Sequence, residues 1–333
     1  MNQKERLLKV LARKEVDRPP VICPGGMMNA AVSEIVTDLE KNHNADKKTM
    51  VQIAKKVYEL TGFENYGVPF CMTVECEPCG VKVNLGNKNI EPRVTEYNKN
   101  QIEDIMKKKI NPKQEKRMSV VLEAINKLKN DNIPVIGNLT GHISTATSII
   151  DPLQSFKMLH KNPEKIYNFF KYVNNYLIDY ALEMVKAGAD VIAISDPSAT
   201  GEILGAKNFE KFAVPFYKKI VEKLHEVDVP VIIHICGNTK VIIDSLNLID
   251  TNALSFDSVV NIEFAKSRLK TNVMGNVNTQ LLHRGRKDKI IAATKNCINK
   301  GVDIVAPACG LSMATQIDKL KIMTDFVREG AYR

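Results

Sequence analysis

Val229-Pro-Val-Ile-Ile-His234-Ile-Cys236-Gly237 is an apolar run that stops at a histidine, a cysteine and a glycine. Apart from Pro230, residues 229–233 are all β-branched, the composition of a strand buried on both faces in a parallel sheet. Pro230 is tolerated at the first strand positions, where a missing N–H costs little. Gly237 permits a tight turn, and Asn238 or Thr239 is placed to cap a helix over Val241-Ile-Ile-Asp-Ser-Leu246. The stretch therefore reads as strand, turn, helix. Its polar pair stands at the strand's C-terminal edge, where α/β folds keep their chemistry.

A His-X-Cys pair alone does not make a metal site, because buried cysteines are mostly small core residues. A second apolar strand, Val302-Asp-Ile-Val-Ala-Pro-Ala-Cys309-Gly310, also ends in a cysteine and a glycine. Together the two strand ends offer one imidazole and two thiolates. That soft set suits Zn²⁺, and three protein ligands leave a position open for substrate. His234, Cys236 and Cys309 are the candidate metal ligands.

Working outward, helix and apolar strand alternate from residue 118 onward. Helices are expected at about 117–130, 163–187 (ending at Gly188) and 208–226. Strands are expected in Ile133–Asn138, Asp190–Asp196, Val229–Ile235, Ala253–Asp257, Asn272–Asn276 and Asp303–Pro307. Ahead of them, a helix over 4–13 leads through Pro19-Pro20 into a strand near residue 21. Helices are then expected at about 30–40 and 47–61, with a strand near residue 67. About eight strands alternating with helices predict a single (β/α)8 TIM barrel with an N-terminal helical extension, one domain over residues 1–333. A doubly wound sheet would call for a Gly-X-Gly-X-X-Gly loop after a strand, and the sequence has none. In a closed barrel the strand-end residues Asp196, His234, Cys236, Asp257, Asn276 and Cys309 converge on one face.

Composition narrows the class. Hydrophobic residues make up 44% of the 333 and charged residues 26%, as in a soluble globular protein. No run approaches the ~18 apolar residues of a membrane span, and the N-terminus lacks a signal peptide's apolar core. A cytoplasmic location is expected, with no membrane partner. Seven cysteines without a secretion signal argue for reduced thiols. The net charge of +9 comes from lysines scattered along helices, with only 6% aromatic residues, so no nucleic-acid partner is expected. The field favours an acidic protein partner or anionic small molecules.

One segment crowds polar and sulfur groups together: Phe63-Glu-Asn-Tyr-Gly-Val-Pro-Phe-Cys-Met-Thr-Val-Glu75-Cys-Glu77-Pro-Cys79-Gly. Its Cys76-X-X-Cys79 pair has no second pair of matching spacing, and Pro78 suits a simple turn. Glu75 and Glu77 are either polar pocket residues or solvated loop charges. A short excursion strand is expected from Val81, and residues 98–117 read as a lysine-rich surface stretch without chemistry.

Several of these pieces carry a resemblance. Arg6-Leu-Leu-Lys-Val-Leu-Ala-Arg13 through Asp17-Arg-Pro-Pro20 resembles the N-terminus of the uroporphyrinogen decarboxylase superfamily, whose fold is a TIM barrel. Pro69–Glu77, Ser195-Asp-Pro-Ser-Ala-Thr-Gly-Glu-Ile-Leu204, His234-Ile-Cys-Gly-Asn238 and Cys309-Gly-Leu311 are similar to its corrinoid-dependent methyltransferase branch. The resemblance implies a zinc-dependent transfer of methyl from a methylated corrinoid (methylcobamide) to a thiol such as coenzyme M. The alternatives are the reverse, methylation of a Co(I) corrinoid protein from an ether, amine or similar donor, and transfer to tetrahydrofolate. Pocket residues near Gly25, Met27 and Glu75 would decide the substrate. The chain has no Asp-X-His-X-X-Gly segment of the kind that ligates cobalt, so a separate corrinoid protein is the implied partner. Asp196 and Asp257 are catalytic candidates, Asp257 also as a displaceable fourth ligand or an acceptor for one. Glu75, Ser195, Glu202 and Asn276 are candidates for orienting the corrinoid or the thiol. Tetrapyrrole decarboxylation is not expected, because Cys23-Pro-Gly-Gly-Met-Met-Asn29 lacks the arginine that would bind tetrapyrrole carboxylates.

Overall fold

The computed structural model describes residues 1–24, 44–87 and 90–330. Its main sheet has seven parallel strands: β1 (Tyr66–Val68), β4 (Val135–Thr140), β5 (Val191–Ser195), β6 (Val231–Ile235), β7 (Ala253–Phe256), β8 (Asn272–Val277) and β9 (Ile304–Pro307), hydrogen-bonded in that order. β2 (Lys82–Asn84) and β3 (Arg93–Glu96) form a separate antiparallel pair. The expected strand near residue 21 is a single bridge, Val21 to Val305 on β9. Pro20 has no N–H to give a ladder, so pairing there is confined to one residue. The segment still fills the eighth position. Ile22 N–H donates to the Val305 carbonyl at 3.1 Å, Val305 N–H to Pro20 at 2.9 Å, and Glu64 N–H, just before β1, to Val21 at 2.9 Å.

The strands alternate between two environments, as a period of two requires. Ile136, Val191, Ala193, Ile232, Ala253, Met274, Ile304 and Ala306 pack with one another inside the curled sheet, and Leu7, Val10 and Leu11 of the helix Gln3–Leu11 plug one end. The intervening residues, such as Ile192, Ile194, Val231, Ile233 and Leu254, pack outward against the helical layer. Arg6 ties the plug in place. It holds Asp17 through Nε (2.7 Å) and Nη2 (2.8 Å) and reaches buried Glu64 at 3.2 Å. The Arg6 guanidinium beside Asp17 holds that carboxyl well below the usual carboxylate range.

The helices at Lys47–Thr61, Lys116–Leu128 and Pro163–Ala187 stand where periodicity expects them. The single helix expected over 208–226 is two, Gly201–Phe212 and Val214–His225. Pro215 clashes with the carbonyl four residues back and starts a new helix instead of continuing the old one. The helix expected after β6 is one turn, Ile243–Leu246, with no side-chain cap. Asn238 instead accepts from Lys240 N–H at 3.0 Å within the turn, and Thr239 is buried. The helix expected at 30–40 lies outside the described residues.

Candidate metal centre

On β6 the inward positions are Ile232 and, by alternation, His234. Pairing register aligns Ser195 of β5, His234 of β6 and Ser255 of β7 in one row. Below this row the interior is apolar; at it, the side chains become polar. His234 is buried, with Nδ1 3.0 Å from Ser255 Oγ and Nε2 3.0 Å from Cys236 Sγ. Cys236 follows immediately after the strand, and Gly237, at φ +70°, turns the chain away. Cys309 arrives from the end of β9, its Sγ 3.1 Å from that of Cys236.

The three ligand atoms lie within 4.8 Å of one another, the one such His, Cys and acid cluster among the described residues. A tetrahedral zinc with bonds of ~2.0–2.3 Å separates its ligand atoms by roughly 3.5–3.8 Å. The His234–Cys236 and Cys236–Cys309 contacts, at 3.0 and 3.1 Å, need open by only about half an ångström to meet that geometry. Cys309 is the more acidic thiol of the pair. The hydrogen bond to Cys236, the nearby His234 and the Gly310 N–H hold it below the ordinary thiol range and outweigh burial. Cys236 is pushed up by that same bond and by burial. A divalent cation bound here would make both sulfurs thiolates.

The cluster lines a cavity of about 360 Å³, at the small end of ligand pockets. Cys71 and Met72 also line it, Glu91 and Pro92 come from the β2–β3 connection, and Ser195, Thr279, Gln280 and Ser312 supply neutral polar groups. No lysine or arginine lines it among the described residues.

The other candidates fall in different places. Ser195 lines the cavity beside His234. Asp196 is fully buried and saturated: it accepts from Ile143 N–H (3.2 Å), Ser144 N–H (2.8 Å), Ser144 Oγ (2.6 Å) and Tyr217 OH (2.9 Å). It thereby caps the helix His142–Ile149 from across the sheet, satisfying N–H groups that have no partner within the helix. The approach is so close that a Cβ on Gly141 would sit 2.2 Å from Asp196 Oδ2. Asp257 accepts from Gly237 N–H at 3.3 Å and from Ser258 Oγ and Val259 N–H at 3.2 Å, pinning the turn that carries Cys236. Glu202 is exposed, its carboxylate against Gly237. Asn276 donates to the carbonyls of Asp257 (2.9 Å) and Val260 (2.8 Å) and lines a separate cavity.

Glu75 is no solvated loop charge. It is buried against Thr140, accepting at 2.9 Å from both N–H and Oγ1, and burial raises its carboxyl above the ordinary value. Gly25 and Met27 lie outside the described residues. Cys76 precedes and Cys79 ends the turn Glu77–Cys79, bonded to the Thr73 carbonyl and to Tyr176 OH respectively. Burial pushes both thiols up, Cys79 to about 11.

Two features escaped sequence reasoning. Ser255 sits mid-run in Ala253-Leu-Ser-Phe256; a hydroxyl inside a buried strand was the available signal, but its partner 21 residues away was not legible. Arg117 closes a stretch read as surface, yet it is 3% exposed. It donates to the Asn44 carbonyl (3.1 Å), Thr73 Oγ1 (3.1 Å) and Cys71 Sγ (2.9 Å), bracing the part of the cavity lining that Cys71 supplies. Ile102 and Ile105 of the same stretch are also buried.

The family described as Uroporphyrinogen decarboxylase (URO-D) matches residues 2–330. The methylcobamide:CoM methyltransferase MtbA of Methanosarcina acetivorans is 30% identical over 99% of this chain and 98% of its own length. The methylcobamide:CoM methyltransferase MtaA of Methanosarcina barkeri is 29% identical over 96% of each chain. A solved methyltransferase from Methanosarcina mazei superimposes with a TM-score of 0.89 at 28% identity, covering 99% of both chains.

Proposed function

The chain belongs to the uroporphyrinogen decarboxylase family, and from that premise we propose that it is a zinc-dependent methyltransferase moving a methyl group from a methylated corrinoid protein to a small thiol. The observation that carries the reading is the convergence of His234, Cys236 and Cys309 on one wall of a small cavity. The two thiols, as thiolates, and the imidazole would hold zinc in the cavity lining, and three protein ligands leave room for a substrate ligand. Zinc held there would supply the positive charge that lowers the pKa of a substrate thiol, so that its proton leaves to solvent near neutral pH. The cavity of about 360 Å³ admits a small thiol but not a corrin ring, so the methylated cobalt must present itself at the mouth. The substrate thiolate then attacks the methyl carbon. A C–S bond forms, the Co–C bond breaks with its electron pair left on cobalt, and methyl-Co(III) becomes Co(I). The chain's part is alignment, which is a large share of the barrier in a two-body displacement.

The neutral polar wall of Ser195, Thr279, Gln280 and Ser312 would orient the thiol's tail by hydrogen bonds. The names of the two relatives support coenzyme M as the first acceptor to test and a corrinoid as the donor. No helix among the described residues is long and apolar enough to cross a membrane. The test is demethylation of methylcobalamin against coenzyme M, homocysteine and tetrahydrofolate, with zinc content measured on the same protein. About one zinc per chain and turnover with a thiol are expected. A protein without zinc, or one that keeps full transfer after Cys309→Ala, would sink the reading.

A further inference from the structure

A donor too wide for the cavity must rest on the surface around its mouth. Three successive strand-end segments meet there and are tied to one another. Asp257, after β7, accepts from Gly237 N–H, after β6, at 3.3 Å and from Val259 N–H of its own loop at 3.2 Å. A Cβ on Gly237 would sit 2.5 Å from Glu202 Oε2, after β5, and one on Gly201 would sit 2.7 Å from Val241 Cγ2. Cys236, in the cavity lining, is the neighbour of Gly237. Each segment raises one bulky apolar side chain into solvent: Ile203 is 48% exposed, Val241 59% and Val259 65%. A fourth, Ile90, is exposed next to Glu91 and Pro92, which line the cavity. Single exposed apolar residues are ordinary; one from each segment around a cavity mouth is a pattern. All four are β-branched and stiff, so covering them costs little side-chain freedom.

We propose that Ile203, Val241 and Val259, with Ile90, form the seat of the corrin macrocycle, whose apolar edge rests on them while the cobalt faces the cavity. The inference rests on the corrinoid reading above and adds to it the surface that receives the donor. The chemistry of the ligand matches that of the surface. A corrin is a broad, rigid ring fringed by methyl groups and by neutral amide arms. The methyl groups suit the four β-branched side chains. Asn238 and Lys240, both exposed between Cys236 and Val241, offer hydrogen-bonding groups to the amides. Val227 and Leu248 are exposed to a similar degree but precede β6 and β7, so they belong to the opposite end of the barrel and lie outside the seat.

The test uses the full chain with Zn²⁺ supplied and free methylcobalamin as the probe. Equilibrium dialysis without thiol gives Kd, and turnover with a thiol gives KM and kcat. Val241→Asp and Val259→Asp should each raise Kd and KM for methylcobalamin about tenfold, the size expected for losing one buried valine. The kcat at saturation and the KM for the thiol should not move. Leu248→Asp, the same change at the other end of the barrel, should leave every value at that of the wild type. Far-ultraviolet circular dichroism and zinc content confirm that each variant is folded and loaded. Wild-type Kd in both rim variants overturns the inference, as does an equal loss in Leu248→Asp or a wild type that binds no methylcobalamin. Rim-dependent binding without methyl transfer to any thiol defeats the transfer reading and leaves the seat standing.

Discussion

The end of β5 and the ends of β6 and β9 are the same kind of place, yet they do opposite things. Each is an apolar strand that stops at polar groups. At β5, Asp196 spends both oxygens on four donors from a neighbouring helix and a tyrosine, all buried. At β6 and β9, the imidazole and two sulfurs bond mainly to one another and line a cavity. A strand-end position brings a side chain to the functional face of a barrel; unspent bonding capacity there is what leaves it available for chemistry.

The largest effect that would sharpen this contrast is expected from His234→Ala. Zinc affinity should fall by well over the 10–100-fold typical of losing a ligand's outer partner, and transfer to a thiol by orders of magnitude even with added zinc. The fold should survive on its large core, which circular dichroism checks beside metal content and methylcobalamin turnover. Asp196→Ala should do the converse. It strands two helix N–H groups and a tyrosine hydroxyl, so a loss of about 2–4 kcal/mol is expected in denaturant unfolding, with zinc content unchanged. An Asp196→Ala protein that is fully stable but catalytically dead would break the comparison.

Glu75 supplies a smaller effect with a sign. Its folded value is raised above its unfolded one by burial. The stability that its proton supplies is therefore full below the unfolded value and is lost as pH rises through the folded one. Glu75→Gln, which keeps one donor and one acceptor toward Thr140, should change stability by no more than about 1 kcal/mol at neutral pH. Urea titrations from pH 4 to 8 should show wild type losing ground to the variant as pH rises; a margin that grows with pH would contradict the assignment. Smallest of all, Glu202→Gln on the exposed helix start should stay within about 0.5 kcal/mol and leave chelator competition for zinc unaltered.

Much of the fold was legible because strands and helices are written in short-range periodicity. The run from Val231 to Ile235 and the helix ending before Gly188 needed only their own residues. Misreadings came where a neighbour in space decided. Arg117 looks like one more surface lysine-like charge until Cys71, Thr73 and Asn44 come round it. The strand near residue 21 shrank to a bridge because two prolines limit what β9 can pair with. Asp196 and Asn276 shared the strand-end signature of the candidate metal ligands, but it carried no word of the donors and acceptors that occupy them.

By itself the sequence determined the order of strands and helices, the parallel barrel they build, and three soft candidate ligands set at strand ends. These follow from residue types and spacings within a dozen positions, where hydrophobic period and turn chemistry act. Only the tertiary structure decided which ends meet and which are already satisfied. Cys236 and Cys309 are 73 residues apart in the chain and 3.1 Å apart at sulfur. That proximity depends on the curl of the whole sheet, and hydrogen-bond saturation depends in turn on what the curl brings alongside.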